Sequence, residues 1–397
     1  MRKILLIIID GLGDEPIPYF GYKTPLEAAK TPNLDFLAKN GACGLVSPFK
    51  LLQEKAPSSE GTHVALLGFA DYFMGRGVYE VAGIGMNLRK GDIAFRVNFA
   101  TVDKNLKIID RRAGRISDTE RLVRALQGIK INGINFLIKK SYGHRIGLIM
   151  RGKNLSSKIS NGDPKRTGVR AKTILSLDKS EKSKFTANVS NRFLEKTHQI
   201  LENHSQNKKR IEKGLLPANY LLIRGAAELK YAPKFKQRFG LKSCCIAGGA
   251  LYKGVAKILG MDIINIKGAT GFVTTNIKEK ISVAKKSLKK YNFVFLHIKA
   301  ADSLGEDGNY KGKKEFIEKI DKSLKSLLNL NNTTIIITGD HSTCSLMKKH
   351  CSRPNPILIY GRERKDRIEK FSEKNCREGT LGTIRQSDLM KKILKIK

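Results

Sequence analysis

Three acids stand where strongly apolar runs stop: Asp10 after ILLIII, Asp302 after FVFLHIKAA, and Asp340, with His341 beside it, after TIIITG. Carboxylates that meet repel one another, and they are tolerated together chiefly where cations sit between them. Carboxylate with imidazole suits zinc, manganese, magnesium or cobalt better than a soft thiolate site does. A second imidazole, His350, follows His341 at a loop's reach and can close a second metal shell, while Cys344 and Cys351 read as bystanders. Any one of these acids alone reads as a cap or turn residue. Three strand-end acids with an Asp-His pair point to a metal centre.

Ser59, in APSSEGTHVALLGF, precedes a segment whose Val64, Leu67 and Gly68 predict a packed helix. A serine there can simply cap the helix. The same helix end also supplies amide donors and a positive dipole for a phosphate, and a nearby metal would lower the hydroxyl pKa and make it a nucleophile. Position alone leaves both readings open.

These residues lie far apart in sequence, so the fold must bring them together. In open α/β sheets the ligand crevice lies beyond the carboxyl ends of the strands, where strand-end acids converge. The strand Ile4 to Ile9, a turn and the helical spacing of TPLEAAKTPNLDFLAKNG, capped by Thr24, begin such a sheet. From about Asn219 the pattern resumes, with strands at YLLIRG, SCCIAG, IINIKG, FVFLHIK, TIIITGD and PILIYG between helical stretches. The fold class is therefore α/β, a doubly wound, mostly parallel sheet. The middle differs: GDIAFRVNFATVD alternates like an antiparallel strand, NFLIKK and RIGLIMRG are short strands, and the stretch from Gly152 to Lys184 reads as a mobile polar loop. We expect residues 1–86 and 233–397 to form the metal-binding core and 87–232 an inserted, smaller α+β domain.

A chain of 397 residues with a hydrophobic fraction of 41% can bury two cores and is not disordered. The opening apolar run is too short to span a membrane and ends at an acid, so it reads as a buried strand and not an export signal. Six cysteines without a CxxC pair fit a cytoplasmic protein with reduced thiols. With 75 Lys and Arg against 36 Asp and Glu, the net charge of +39 favours anionic partners. The lysines are spread along the chain, and the aromatic interleaving of single-strand binders is missing, so nucleic acid is not the expected partner.

Taken together, IIIDGLGD, KTPLEAAKTPNLDFLAKNGACGLV, SSEGTHVALLGF, IIDRRAGRI, CCIAGGALYKGVAKILGMD, FVFLHIKAADSLGEDGN and TGDHSTC resemble the cofactor-independent phosphoglycerate mutases, archaeal type, of the alkaline phosphatase superfamily. The resemblance implies that Ser59 is the phosphorylated serine. It implies one metal held by Asp10, Ser59, Asp340 and His341, and another by Asp302, His350 and the position four after Asp302. The family typically has His there, in a D-x-x-x-H pattern, and this chain has Glu306. A carboxylate at i+4 still faces the same way on a helix and can bind manganese, magnesium or zinc.

By the same resemblance, 3-phosphoglycerate and 2-phosphoglycerate interconvert through a phosphoserine, with two divalent cations and no bisphosphoglycerate. Holding the free glycerate demands a cationic pocket, and guanidinium forks fit its oxygens. Candidates are Arg111, Arg112 and Arg115 in DRRAGR, His144 and Arg145 in YGHRIGLIMRG, and Lys253 in LYKGVAK. His63 reads as a group behind Ser59 and His297 as a core histidine. The alternatives are another phosphotransferase or phosphatase of the superfamily, or a weakened homologue that binds nucleic acid.

Overall fold

The computed structural model describes residues 3–51, 56–361 and 365–395. The chain forms two compact units, Met1–Phe73 with Ala232–Lys397, and Met74–Tyr231.

The first unit is built on an eight-stranded sheet. Its centre is Lys3–Ile9, paired in parallel with Phe293–Ile298 on one side and Thr333–Thr338 on the other. All six residues from Ile4 to Ile9 are buried, because the sheet is covered on both faces. Leu5, Ile7 and Ile9 join a core with Leu34 and Leu37 of helix Pro32–Lys39 and Phe316, Ile317, Ile320 and Leu324 of helix Tyr310–Leu324. The register decides where the acids fall. Ile9 lies opposite Ile298 and Ile8 opposite Thr338, so Asp10, the start of helix Ala300–Glu306 and the Asp340–His341 pair leave the sheet at one edge. The strand Asn355–Tyr360 is antiparallel to Thr333–Thr338 and to Gly41–Ser47, which gives the mostly parallel sheet its mixed side.

The second unit is an antiparallel sheet around Ile93–Val102, flanked by Arg145–Arg151 and Tyr220–Glu228. Phe95, Val97 and Phe99 face a core that includes Phe136 and Phe193, the latter from helix Glu181–Glu202. Their rings stack with centroids 4.1 Å apart. Helix Arg76–Gly83 packs on the same strands, at a separation only glycine permits. A Cβ on Gly77 would lie 2.1 Å from the carbonyl oxygen of Ala94.

Several expectations need correction. The run TPLEAAKTPNLDFLAKNG forms two helices, Pro25–Ala28 and Pro32–Lys39, because Pro32 starts a new one. Thr24 caps the first through a capping box with Glu27. YLLIRG pairs with Ile93–Val102 in the second unit, not with the parallel sheet, and of IINIKG only Ile263 is in a strand, the short Asp262–Ile263. The helix Arg76–Gly83 packs on the antiparallel sheet, so the first division falls after Phe73 and not at 86. The polar stretch after Gly152 is tied to that sheet: Asp163 pairs with Arg111 and Arg224, and Asn161 Oδ1 accepts from the Gly225 N–H. Finally, Cys344 and Cys351 form a disulfide, whereas all thiols were expected to be reduced. The other four cysteines are free and buried. Among the described residues no helix is long and apolar enough to cross a membrane.

Candidate active site

The capping role at helix Ser59–Leu66 falls to Ser58, whose hydroxyl accepts from the Gly61 N–H. Ser59, one position on, is buried, and its Oγ lies 3.3 Å from His341 Nε2. The same nitrogen is 3.2 Å from Asp340 Oδ2 and 3.5 Å from Asp10 Oδ1. Gly11 turns the chain out of the central strand at φ +68°, and its N–H donates to Asp340 Oδ1. The Thr62 hydroxyl donates to Asp340 Oδ2, and His63 Nδ1 lies 2.7 Å from the Ser59 carbonyl oxygen and 3.4 Å from Asp340.

Next to this group lies a second one. Asp302 Oδ1 accepts from the Thr343 hydroxyl and is 3.3 Å from His350 Nε2. His350 stacks on His341 with centroids 3.7 Å apart, and its Nδ1 bonds the Pro57 carbonyl, leaving Nε2 to face the acids. Asp10, Asp340 and His341 therefore offer converging ligand atoms, as do Asp302, His341 and His350. Glu306, one helical turn after Asp302, brings Oε1 to 3.6 Å from His350 Nε2 with its side chain 53% exposed. A third convergence, Asp14, Glu15 and Cys344, is engaged otherwise. Asp14 pairs with the buried Lys313, Glu15 accepts from the Leu346 and Met347 N–H groups, and Cys344 is in the disulfide.

The outward oxygens of the acids are held by Tyr252 and Lys299, which the sequence reading passed over, and by His297, which it took for a core histidine. Asp10 Oδ2 accepts from the Tyr252 hydroxyl and lies 3.1 Å from His297 Nε2. The Lys299 ammonium is 2.7 Å from Asp302 Oδ2 and 3.4 Å from Asp10 Oδ2. Burial alone would raise both carboxyls, but Lys299 together with the imidazoles of His297 and His341 at Asp10, and of His350 and His341 at Asp302, outweighs it and holds them below the ordinary range. Among the described residues no such cation faces Asp340, and burial together with Asp10 pushes it up to about 7. Burial would lower His350, yet Asp302 raises it to about 9, whereas burial and His350 press His341 down to about 4. Among the described residues the inward Asp10 Oδ1 is buried without a hydrogen-bond partner. Crowded acids, one of them reluctant to ionise, with an orphaned buried oxygen and two imidazoles fit hard or borderline divalent cations.

The cationic candidates are scattered. Lys253 bonds Asn265 Oδ1, and it is its neighbour Tyr252 that reaches Asp10. In the second unit Arg111 forks onto Asp163, while Arg112 and Arg115 are exposed. His144 is pushed down to about 3 by burial and by Arg145, Arg112, Arg96 and Arg224, so near neutral pH it offers hydrogen bonds and no charge. The more telling residues are Arg96 and Arg224, directly opposite each other on neighbouring strands, with Arg145 opposite Asn98 on the other side. Among the described residues the Nε atoms of Arg96 and Arg224 are buried without a hydrogen-bond partner. Like charges facing across strands are unfavourable, and Glu80 and Asp163 balance them only in part. An arginine inside IAFRVNFATV and another inside YLLIRG were the signal in the sequence.

The metalloenzyme superfamily model matches residues 2–396. The 2,3-bisphosphoglycerate-independent phosphoglycerate mutase 1 of Archaeoglobus fulgidus is 44% identical, over 98% of this chain and 96% of the relative. The corresponding mutase 1 of Methanocaldococcus jannaschii is 42% identical over 99% and 96%. Among solved structures, the PH0037 protein of Pyrococcus horikoshii superposes with a TM-score of 0.85 at 34% identity, covering 100% of this chain and 97% of that one. The cofactor-independent phosphoglycerate mutase of Thermoplasma acidophilum gives 0.71 at 33%, covering 100% and 99%.

Proposed function

This chain belongs to the metalloenzyme superfamily and, within it, to the 2,3-bisphosphoglycerate-independent phosphoglycerate mutases, and we propose that it interconverts 3-phosphoglycerate and 2-phosphoglycerate through a phosphoserine at Ser59. It is a metal-dependent isomerase of the glycolytic and gluconeogenic type. The observation that carries the mechanism is the Ser59 Oγ lying 3.3 Å from His341 Nε2, inside a cluster of buried acids.

We assign one cation to Asp10, Ser59, Asp340 and His341 and a second to Asp302, His350 and Glu306, as manganese, magnesium, zinc or cobalt. When bound they would supply positive charge to the phosphoryl oxygens and acidify the Ser59 hydroxyl. Ser59 Oγ attacks phosphorus, the C3 oxygen of glycerate leaves and takes a proton, and the C2 hydroxyl then takes the phosphoryl group back. Lys299, Tyr252 and His297 hold the Asp10 and Asp302 oxygens that face away from the reaction. The glycerate carboxylate needs cations of its own. Arg96, Arg224 and Arg111 are three guanidinium groups against the two carboxylates of Glu80 and Asp163 that they pair with, and Arg145 lies on the strand next to Arg96. Arg112, Arg115, His144 and Lys253 stay in the reading as weaker candidates. A cytoplasmic location and the absence of nucleic acid among the partners belong to this proposal as well.

The test is 2-phosphoglycerate formation from 3-phosphoglycerate without added bisphosphoglycerate, together with metal analysis of the same sample. We expect turnover that stops on chelation and returns with a divalent cation. Ser59→Ala should lose at least about 10³-fold in rate and yield no phosphorylated Ser59 peptide after acid quench. Full turnover in chelator, or by the Ser59→Ala protein, would refute the assignment.

A further inference from the structure

The disulfide brackets the metal-site hairpin. Cys344 ends the strand Ser342–Cys344 and Cys351 ends the return strand Lys349–Cys351, and the bond crosses the ladder diagonally, since Cys344 lies opposite Lys349 and Cys351 opposite Ser342. His350 stands immediately before Cys351 and opposite Thr343.

The two strands are anchored very differently. Ser342, Thr343 and Cys344 are buried; the Thr343 N–H bonds the Gly13 carbonyl, its hydroxyl bonds Asp302, and Lys313 bonds its carbonyl. In the return strand Lys349 is exposed and His350 and Cys351 are only half-buried. A two-stranded ladder of three residues a side is marginal in water without further support. Beyond the ladder, the supports of the return strand include the sulfur bridge and the contacts of His350 itself, with Pro57, the His341 ring, Asp302 and Glu306.

We propose that Cys344–Cys351 is a redox-active pair, and that its reduction by a dithiol releases metal from the group of Asp302, His350 and Glu306 while sparing that of Asp10, Ser59, Asp340 and His341. Cys351 is the half-buried partner and Cys344 the fully buried one, so the attacking thiolate meets Sγ of Cys351. That step forms a mixed disulfide and expels the Cys344 thiolate, which takes a proton. The second thiol of the reductant then displaces Cys351, so the dithiol gives up two electrons and ends as a disulfide, and the protein ends with two thiols. What changes is the tether of the strand that carries His350. His341, buried immediately before the strand Ser342–Cys344, keeps its place, which is why the loss is confined to one group. The inference takes its ligand sets from the proposed function, and its readouts are independent of phosphoglycerate.

The experiment compares metal content by mass spectrometry, cobalt absorption spectra and thiol titration on the full chain, oxidised and after a phosphine reductant. Oxidised protein should titrate the four free cysteines when denatured, and reduced protein all six. On reduction, metal content should fall by about half, and cobalt affinity at the weaker site about 10- to 100-fold, both restored on reoxidation. Cys351→Ser and Cys344→Ser proteins should have the lower content from the start and not respond to the reductant, which separates loss of the bridge from chelation. If reduced and oxidised protein hold metal equally, or if untreated protein already titrates all six thiols, the proposal falls. Absence of mutase activity in the fully metallated, oxidised protein would instead remove the functional reading and leave these readouts standing.

Discussion

Ser58 and Ser59 divide two jobs that a single helix-start serine is usually asked to do. Ser58 caps the helix and Ser59 faces His341, so their substitutions should separate. Ser58→Ala should cost about 1 kcal/mol of stability, read as a lower melting temperature, and leave phosphoryl transfer within about an order of magnitude. Ser59→Ala should do the reverse. Another residue, Glu373, sets a pH dependence of stability away from the site. It accepts hydrogen bonds from the Asp14 N–H and the Thr24 hydroxyl, and burial, helped by Glu27, pushes its carboxyl up from 4.5 to about 7. Between those values the folded protein keeps a proton that the unfolded chain has lost, so Glu373 makes stability fall as pH rises through that window. The side chain is only half-buried, and the effect is of order 1–2 kcal/mol after allowing for solvent. Glu373→Gln should therefore narrow the gap between melting temperatures at pH 5 and pH 8, with the gain at the alkaline end. An unchanged gap would show that the carboxyl ionises freely.

At the scale of elements, the short helix Ala300–Glu306 carries two of the ligands proposed for the second cation. Asp302 is buried in its first turn, and Glu306 follows on the same face beside His350. Glu306→His restores the nitrogen donor typical of the family and removes one negative charge. We expect the variant to favour zinc or cobalt over magnesium by about tenfold relative to wild type, measured by competitive calorimetry. If metal preference and turnover are both untouched, Glu306 is no ligand. The acids at the strand ends were legible because a buried parallel strand is an unbroken apolar run, and its last residue marks the crevice. Tyr252 and Lys299 were not. Which residue of GALYKGVAK meets Asp10 depends on how helix Ala250–Ile258 is rotated against the sheet, and the cation expected from that segment was Lys253, not its neighbour Tyr252. The disulfide was hidden for a related reason. Two cysteines seven positions apart become partners only once Ser345–Lys348 turns the chain back on itself.

For the molecule as a whole, the division into two units was visible in the change from long apolar runs to alternation, whereas the pairing of Tyr220–Glu228 with Ile93–Val102 was not, because nothing local joins strands so distant in sequence. The arginines of the second unit were obscured by the same step: an isolated Arg in an alternating strand reads as the solvated face, and here that face lies under helix Arg76–Gly83. Each unit nonetheless has its own core. Among the described residues, the buried cluster around Phe95, Phe136 and Phe193 comes from residues 93–223, and the buried cluster around Leu5, Ile7 and Phe316 from residues 5–45 and 244–376. The ends of the second unit meet, since a Cβ on Gly75 would lie 2.9 Å from that of Ala227. A segment of about 150 residues with a private core and adjoining ends is large enough to fold alone. Residues 74–231 expressed by themselves should thus melt in one cooperative transition, with calorimetric and van't Hoff enthalpies in agreement. The facing Arg96 and Arg224 give that fragment a further signature. Their repulsion is part of the cost of the folded state, so an anion seated between them should raise the melting temperature in proportion to the logarithm of its concentration above Kd. Phosphoglycerate should produce that rise at constant ionic strength, chloride should not, and Arg96→Met should abolish the response while raising the melting temperature of the anion-free fragment. A fragment that folds but ignores phosphoglycerate would move the search for the carboxylate site to other residues.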